Sequence, residues 1–229
     1  MTWVILALVL VAAIAGPGLW VKRVLAKYSQ PADRYREQGS GGQLARHLLD
    51  QFGLSDVGVE ETQAGDHYDP EARKVRLTPG NFSGHSLTAV TVATHEVGHA
   101  IQHDRGEPLF EARQRLVRAS ISGQKLGSIL LIGAPVIILL TRAPSAGLLM
   151  ALGAFATMGL ATLVHLVTLP VELDASFKKA LPILEKGNYL HEGDLVHARK
   201  ILKAAALTYV AGSLASLLNL GRWLTVLRR

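Results

Sequence analysis

Four long apolar stretches divide the chain into membrane-like and polar parts. They cover residues 1–21, 126–141, 143–171 and 204–221. About 20 apolar residues in a helix cross a hydrocarbon core of about 30 Å, so the first, third and fourth stretches are adequate in length. The second is short and contains Gly133 and Pro135, so it needs a tilted or kinked helix, or Lys125 reaching the membrane surface. The pattern predicts a polytopic α-helical membrane protein.

The first stretch, residues 1–21, contains no charged residue and is predicted to be an N-terminal transmembrane anchor. A cleaved signal peptide is the alternative, because the alanines at 12–15 resemble a cleavage region. Signal peptides normally begin with Lys or Arg, however, and none is present here. Three basic residues follow the stretch at once, at Lys22, Arg23 and Lys27. They favour an N-terminus outside the cell and a cytoplasmic segment after the anchor.

Residues 28–122 form a polar block large enough for a small α+β domain. Apolar residues at helical spacing between 44 and 52 predict one helix, and alternating residues at 57–59 and 74–77 predict two short strands. The strand at 74–77 is a candidate sheet edge, where an extended peptide could add as a further strand. An ordinary covered strand is the alternative.

A second helix of this block is predicted over residues 86–104. Apolar residues recur at helical spacing at Leu87, Val90, Ala93 and Val97. Residues that can cap the start of a helix precede them, at Asn81, Ser83 and Ser86.

Only Arg142 and a few small residues separate the second apolar stretch from the third. Residues 126–171 are therefore predicted to form a tight transmembrane hairpin, whose two ends lie on the same side of the membrane. Residues 172–203 are polar and basic, which predicts a cytoplasmic helical segment. Residues 204–221 are predicted to be a C-terminal transmembrane or membrane-associated helix.

The basic residues support this topology. With the N-terminus outside, 20 of the 24 lie on the inner side and 4 lie outside, as the positive-inside rule expects. Three of the outer ones follow the last stretch, at Arg222, Arg228 and Arg229, and leave open whether that stretch spans the membrane or lies on it. The predicted location is the inner (cytoplasmic) membrane, with several passes, the bilayer as a partner and the polar block facing the cytoplasm.

The amino-acid composition excludes several classes of functional site and partner. The chain has 49% hydrophobic and 18% charged residues, less charge than the roughly 25% of a soluble domain. It has no cysteine, so disulfides, thiolate metal sites and cysteine nucleophiles are excluded, and a metal must be held by His, Asp or Glu. The net charge of +6 is not concentrated in any run and aromatic residues make up only 6%, so no nucleic-acid partner is expected.

His95, Glu96 and His99 form an H-E-x-x-H pattern inside the helix predicted over 86–104. Residues four apart stand on one helical face about 5 to 6 Å apart at Cβ, so both imidazoles can reach one Zn²⁺ ion. Glu96 lies beside them, where a carboxylate can accept a proton from a water bound to zinc. Ordinary surface His and Glu residues are the alternative interpretation.

A third ligand must come from elsewhere in the chain, because Arg105 and Gln102 do not fit the extended metzincin pattern. Glu172 is the best candidate, since the predicted hairpin returns the chain to the side that carries the histidines. A helix is expected to start near Pro170, which would turn Glu172 and Asp174 to nearly opposite faces. Asp174 is the alternative ligand or a supporting residue.

Four further residues are weaker candidates. His103 continues the face of His95 and His99, but a supporting role is favoured over ligation. His165 lies in a predicted span on the face of Glu172, where it could line the site or bond a neighbouring carbonyl. His67 and Tyr68 could stabilise an oxyanion, although a turn beside Asp69-Pro70 is at least as well supported.

The chain resembles the YugP-type family of membrane zinc metallopeptidases over nearly its full length. The resemblance rests on five segments in order: residues 66–70 (DHYDP), 73–77 (RKVRL), 95–103 (HEVGHAIQH), 166–172 (LVTLPVE) and 204–210 (AAALTYV). It implies a neutral zinc peptidase in the membrane, with His95, His99 and Glu172 as ligands and Glu96 as base. Similarity to gluzincins of the HtpX and CAAX-prenyl-protease type is looser, because those carry Asp where this chain has Ser176.

The predicted function is therefore peptide-bond hydrolysis by a membrane-bound zinc metalloendopeptidase, with a gluzincin-like α+β domain and a peptide or protein substrate, membrane proteins included. One alternative is a site-2-type intramembrane protease, but several polar residues precede the histidines in their helix. The other is a non-catalytic membrane scaffold with a structural zinc.

Cysteine labelling tests the predicted topology. In the cysteine-free chain, Ser55→Cys places one thiol in the polar block. A membrane-impermeant maleimide should label this thiol only after the cells are opened, because residues 28–122 are predicted to face the cytoplasm. Labelling in intact cells would reverse the orientation.

Overall fold

The structure, a computed structural model, describes residues 2–208. It is mostly helical, with one small sheet. The helices are α1 (Thr2–Tyr28), α2 (Gly41–Gln51), α3 (Pro79–Phe82), α4 (Leu87–Asp104), α5 (Pro108–Thr141), α6 (Pro144–Asp174), α7 (Leu181–Lys186) and α8 (195–208). The strands are β1 (Gly58–Glu61), β2 (His67–Asp69) and β3 (Lys74–Leu77). Most of the predicted helix 204–221 lies outside the described residues.

The sheet has the strand order β1-β3-β2, with β1 parallel and β2 antiparallel to β3. The predicted strand at 74–77 is therefore confirmed, but the hypothesis that it forms a sheet edge is wrong. Both of its sides are paired, because β2 adds a strand where the sequence favoured a turn. Val75 and Leu77 point from β3 into the core and are fully buried.

Helix α4 forms the centre of the polar block. It starts as predicted after Ser86, whose hydroxyl accepts a hydrogen bond from the Ala89 amide at 3.1 Å. Every residue from Leu87 to Gln102 is buried, because α2, the sheet and the segment after α6 pack around this helix. The two histidines and Glu96 consequently have little exposed surface.

Helices α5 and α6 pack against each other as a helical hairpin, joined by Arg142 and Ala143. Helix α5 has 34 residues and is about 50 Å long. It runs without interruption from the polar block into the second apolar stretch, so the boundary placed between 122 and 126 falls inside a helix. The expected helix start near Pro170 is wrong, because Pro170 lies inside α6, which continues to Asp174.

The hairpin exposes large apolar side chains. The most exposed are Ile129, Ile132, Leu139 and Leu140 on α5 and Leu148 and Leu149 on α6. By length and composition, one helix among residues 2–208, Pro108–Thr141, could cross a membrane.

The chain after α6 continues through a π-helical segment, Ala175–Ala180, into α7. This segment packs directly on α4 at Gly98. A Cβ atom at Gly98 would lie 2.9 Å from the carbonyl oxygen of Ala175, so a larger residue would push the two elements apart.

Asp194 ties the start of α8 to the segment after α1. Arg34 donates two hydrogen bonds to its carboxylate, at 2.6 and 2.9 Å, and the Tyr35 hydroxyl donates a third at 2.6 Å. Burial alone would raise the pKa of Asp194, but Arg34 and Tyr35 outweigh it and lower the pKa. Burial of Tyr35 and its hydrogen bond to the Asp194 carboxylate raise the pKa of Tyr35 to about 12.

Replacement of this carboxylate should destabilise the fold in a pH-dependent manner. Hydrogen bonds to charged groups contribute roughly 1.5–3 kcal/mol, so Asp194→Asn should lower the free energy of unfolding by about that amount at pH 7. The folded-state pKa lies below the unfolded value of about 3.9, so the difference should be fully present above that pH and shrink as pH falls through the folded pKa. Thermal unfolding in detergent measures it, with the exposed neighbour Glu192→Gln as control. An equal loss for both variants would contradict the role of Asp194.

Candidate metal centre

His95 and His99 lie one turn apart on α4 with their rings 4.8 Å from each other. Both side chains are buried, at 3% and 4% exposure. They face α6, from which Glu172 projects with no exposed surface. One oxygen of Glu172, Oε2, lies 3.3 Å from Nε2 of His95 and 3.1 Å from Nε2 of His99. The structure thus brings together the three residues that the sequence proposed as ligands.

The other ring nitrogen of His95 faces Ser176, one turn after Glu172. Its Nδ1 lies 3.1 Å from the Ser176 hydroxyl, and that hydroxyl donates its only proton to the carbonyl oxygen of Leu202, also at 3.1 Å. Ser176 can therefore only accept from His95. The ring proton must be on Nδ1, and the Nε2 lone pair is left facing Glu172.

His99 is fixed in the same way by a different set of groups. Its Nδ1 lies 2.9 Å from Oε1 of Gln102, and the Gln102 amide donates to the Val171 carbonyl at 3.0 Å and to Asp174 at 2.8 Å. Because both acceptors require the NH₂ group, Oε1 must face His99. His99 therefore also carries its proton on Nδ1, and its Nε2 is an acceptor.

The donor set fits a zinc ion. When both imidazoles are neutral, their Nε2 lone pairs converge on one carboxylate oxygen, an unfavourable arrangement unless a cation lies among them. Ligands of a tetrahedral zinc at about 2.0–2.2 Å lie roughly 3.3–3.5 Å from one another. The distances from Oε2 of Glu172 are close to this value, and one ligand atom from each residue lies within 4.8 Å of the others.

Charge around Glu172 keeps this carboxylate ionised. Arg113, from α5, places Nη2 3.2 Å from Oε1, whereas the two histidines contact Oε2. Burial alone would raise the pKa of Glu172, but neighbouring positive charge, which Arg113 carries permanently, lowers it below its usual range. Arg113 was not identified from the sequence, and its position on a helix that enters an apolar stretch is the only signal it offers.

Glu96 lies beside the three residues and is 6% exposed. Burial raises the pKa of Glu96 to about 7, opposed by His95 and supported by the negative charge of Glu172. Glu96 lines a cavity of about 380 Å³, within the range of ligand-binding clefts. The other lining residues are Leu25, Gly65, Asp66, Val92, His95, His99, Glu172, Ala205 and Thr208.

Asp174 does not join the group formed by His95, His99 and Glu172. It accepts hydrogen bonds from Gln102 and, at 2.7 Å, from Lys179, which also contacts Glu107 at 2.9 Å. Asp174 therefore acts on His99 through Gln102. Ser176 takes the corresponding place for His95, at the position where the looser relatives were expected to carry Asp.

The remaining candidates lie apart from the cavity lining of the described residues. The hydroxyl of Tyr68 bonds Nδ1 of His103 at 2.8 Å, and Phe110 separates this pair from His99. Burial raises the pKa of Tyr68 to about 12 and lowers the pKa of His103, so the tyrosine keeps its proton.

His67 bonds the Gly65 carbonyl at 2.8 Å, next to the cavity rather than inside it. His165 lies in α6, and its side chain is outside what the structure describes.

The comparisons with known proteins agree with this chemistry. Residues 2–228 match a family model described as “Putative neutral zinc metallopeptidase”. The chain is 34% identical over 235 residues to the “Putative membrane protease YugP” of Bacillus subtilis (strain 168), covering 95% of this chain and 94% of that protein. No solved structure matches.

Metal content should separate the roles of Glu172 and Asp174. Glu172→Ala removes the oxygen that lies against both histidines and should abolish zinc retention. Asp174→Ala leaves all three donors in place and should weaken zinc binding only by about 10- to 100-fold, as loss of a residue that supports a ligand typically does. Elemental analysis of the purified variants, with a competing chelator for affinity, measures both. Near-stoichiometric zinc in Glu172→Ala and none in Asp174→Ala would reverse the assignment.

Proposed function

We propose, on the premise that the chain belongs to the “Putative neutral zinc metallopeptidase” family, that it is a membrane-bound zinc peptidase that hydrolyses peptide bonds. The observation that carries the proposal is the hydrogen bonding of the two histidines, from which their tautomer follows. Independent hydrogen-bond networks hold both Nδ1 protons away from the site and leave both Nε2 atoms facing Glu172. This arrangement suits metal binding.

His95, His99 and Glu172 would hold the zinc ion. Bound zinc lowers the pKa of a coordinated water to about 7 and polarises a carbonyl group. Three protein ligands leave a fourth position for water or substrate, which distinguishes catalytic zinc sites from closed structural ones. The cavity at this cluster provides access to that position.

Glu96 would serve as the proton carrier. Glu96 is not one of the three proposed ligands, but it lines the same cavity as they do. In the proposed reaction its carboxylate accepts a proton from the attacking water and passes it to the nitrogen of the departing amine. Ser176 and Gln102 keep the histidines oriented, and Arg113 balances the charge of Glu172 in its buried position.

The membrane part of the proposal rests on the hairpin. Large apolar side chains exposed on α5 and α6 mark a surface suited to lipid. The basic residues gather on one side of the predicted spans, and the similar protein of Bacillus subtilis is named a membrane protease. We place the protein in the inner membrane with several passes and its polar block in the cytoplasm, acting on peptides or proteins.

The two alternatives make different demands. In a site-2-type enzyme the zinc helix itself would lie in the bilayer, whereas α4 is enclosed by α2, the sheet and the π-helical segment. A scaffold with structural zinc would need neither the cavity nor Glu96. Zinc-dependent cleavage therefore separates the enzyme from the scaffold.

Glu96→Gln should keep zinc and lose activity. The amide preserves the shape of the side chain but cannot accept a proton, so hydrolysis of an unfolded protein such as casein should fall by about 10² to 10⁴ or more. Zinc content measured in parallel shows that the site is intact, and removal of zinc by a chelator should abolish wild-type activity. The exposed Glu185→Gln serves as the matched control. Activity within a few-fold of wild type in Glu96→Gln would favour the scaffold.

A further inference from the structure

The cavity that contains Glu96 lies between the two helices that lead into apolar stretches. Leu25 of α1 and Ala205 and Thr208 of α8 line it together with the metal cluster. Leu25 follows the predicted anchor 1–21 by four residues, and Ala205 and Thr208 belong to the stretch 204–221. One wall of the cavity is therefore formed where the chain passes from polar to apolar sequence.

Both helices are fixed relative to the metal centre by hydrogen bonds. On α1, the Leu25 carbonyl accepts from the hydroxyl of Thr88, at the start of the zinc helix, at 2.9 Å. On α8, the Leu202 carbonyl accepts from Ser176, which holds His95. The apolar stretch begins two residues beyond Leu202, about 3 Å further along the helix.

The apolar stretches 1–21 and 204–221 also start at similar distances from a contact between α1 and α8. Tyr28 of α1 stacks on His197 of α8 with ring centres 5.0 Å apart and a hydrogen bond of 3.2 Å. Seven residues separate this contact from Val21 on α1, and seven separate it from Ala204 on α8. At 1.5 Å per residue both stretches begin about 10 Å from it, so one membrane surface can serve both helices.

We propose that the cavity opens at the membrane surface and that its substrate is the polypeptide segment directly adjoining a membrane-spanning helix of another protein. This inference rests on the proposed peptidase function and adds the class of substrate. Leu25, Val92 and Ala205 give the cavity an apolar wall, which suits chain emerging from lipid. Leu25 lies about 6 Å from the end of the predicted anchor, and an extended chain advances about 3.3 Å per residue, so a substrate needs only a few residues beyond its span to reach the cavity.

Cleavage of tethered peptides tests the substrate class. The full-length protein in phospholipid vesicles is given a peptide library of random sequence attached directly to an apolar helix of about 20 residues. The controls are the same library behind a Gly/Ser spacer of about 30 residues and the same library without the helix. Cleavage within a few residues of the helix, at least about tenfold faster than in either control, supports the inference. Equal rates in the three libraries overturn it.

A measurement of depth tests the location without relying on activity. Thr208→Cys carries an environment-sensitive fluorophore at the cavity wall, and Ser55→Cys carries the same fluorophore on the exposed surface of the polar block. Lipids with a nitroxide near the headgroup should quench the probe at 208 and leave the probe at 55 unchanged. Quenching of the probe at 208 by aqueous iodide alone overturns the inference, whatever the enzyme cleaves.

The two measurements also separate this inference from the proposed function. If neither casein nor any library is cleaved while zinc is bound, the peptidase function itself fails, and the substrate class fails with it. If casein and the soluble library are cleaved as fast as the tethered library, and chelator and Glu96→Gln abolish cleavage, the peptidase function stands and only the membrane-adjoining substrate is refuted.

Discussion

The structure depends on the burial of one carboxylate. Glu172 is completely enclosed, and an ionised carboxylate without partners would cost several kcal/mol in such a place. Two imidazoles from α4 and a guanidinium from α5 surround it. This requirement brings three helices to one point, and the absence of a side chain at Gly98 lets the segment after α6 approach α4 closely enough. The contacts that stabilise the buried Glu172 are therefore the same contacts that hold the helices of the site together.

The two histidines have the same tautomer but different supports. His95 is held by a neutral pair, a hydroxyl and a backbone carbonyl. His99 is held by an amide that leads to Asp174 and Lys179, so its network ends in charged groups. A carboxylate behind a ligand makes an imidazole a stronger donor. The two imidazoles are thus expected to be unequal donors, with His99 the stronger.

Local sequence signals predicted the elements that depend on short-range pattern. The cap at Ser86, the periodicity of α4 and the alternation in Lys74–Leu77 all appear as expected. The errors concern long-range arrangement: β2 pairs with β3 and makes it central, and Pro170 is accommodated within a helix that packing maintains. Gln102, Ser176 and Arg113 have ordinary surroundings in the sequence, and only their contacts across 59 to 81 residues show what they do. Glu172 was accessible to sequence reasoning because the hairpin constrains where the chain can return.

The hairpin also has a consequence for the order of events during synthesis. Glu172 follows His99 by 73 residues, and the whole of α5 and nearly all of α6 lie between them. A nascent chain from which α4 has already emerged still lacks one of the three donors. The donor set is completed only when the hairpin has closed and brought α6 back against α4. During early synthesis the protein therefore has an incomplete donor set. The site can form only after the hairpin of α5 and α6 has folded.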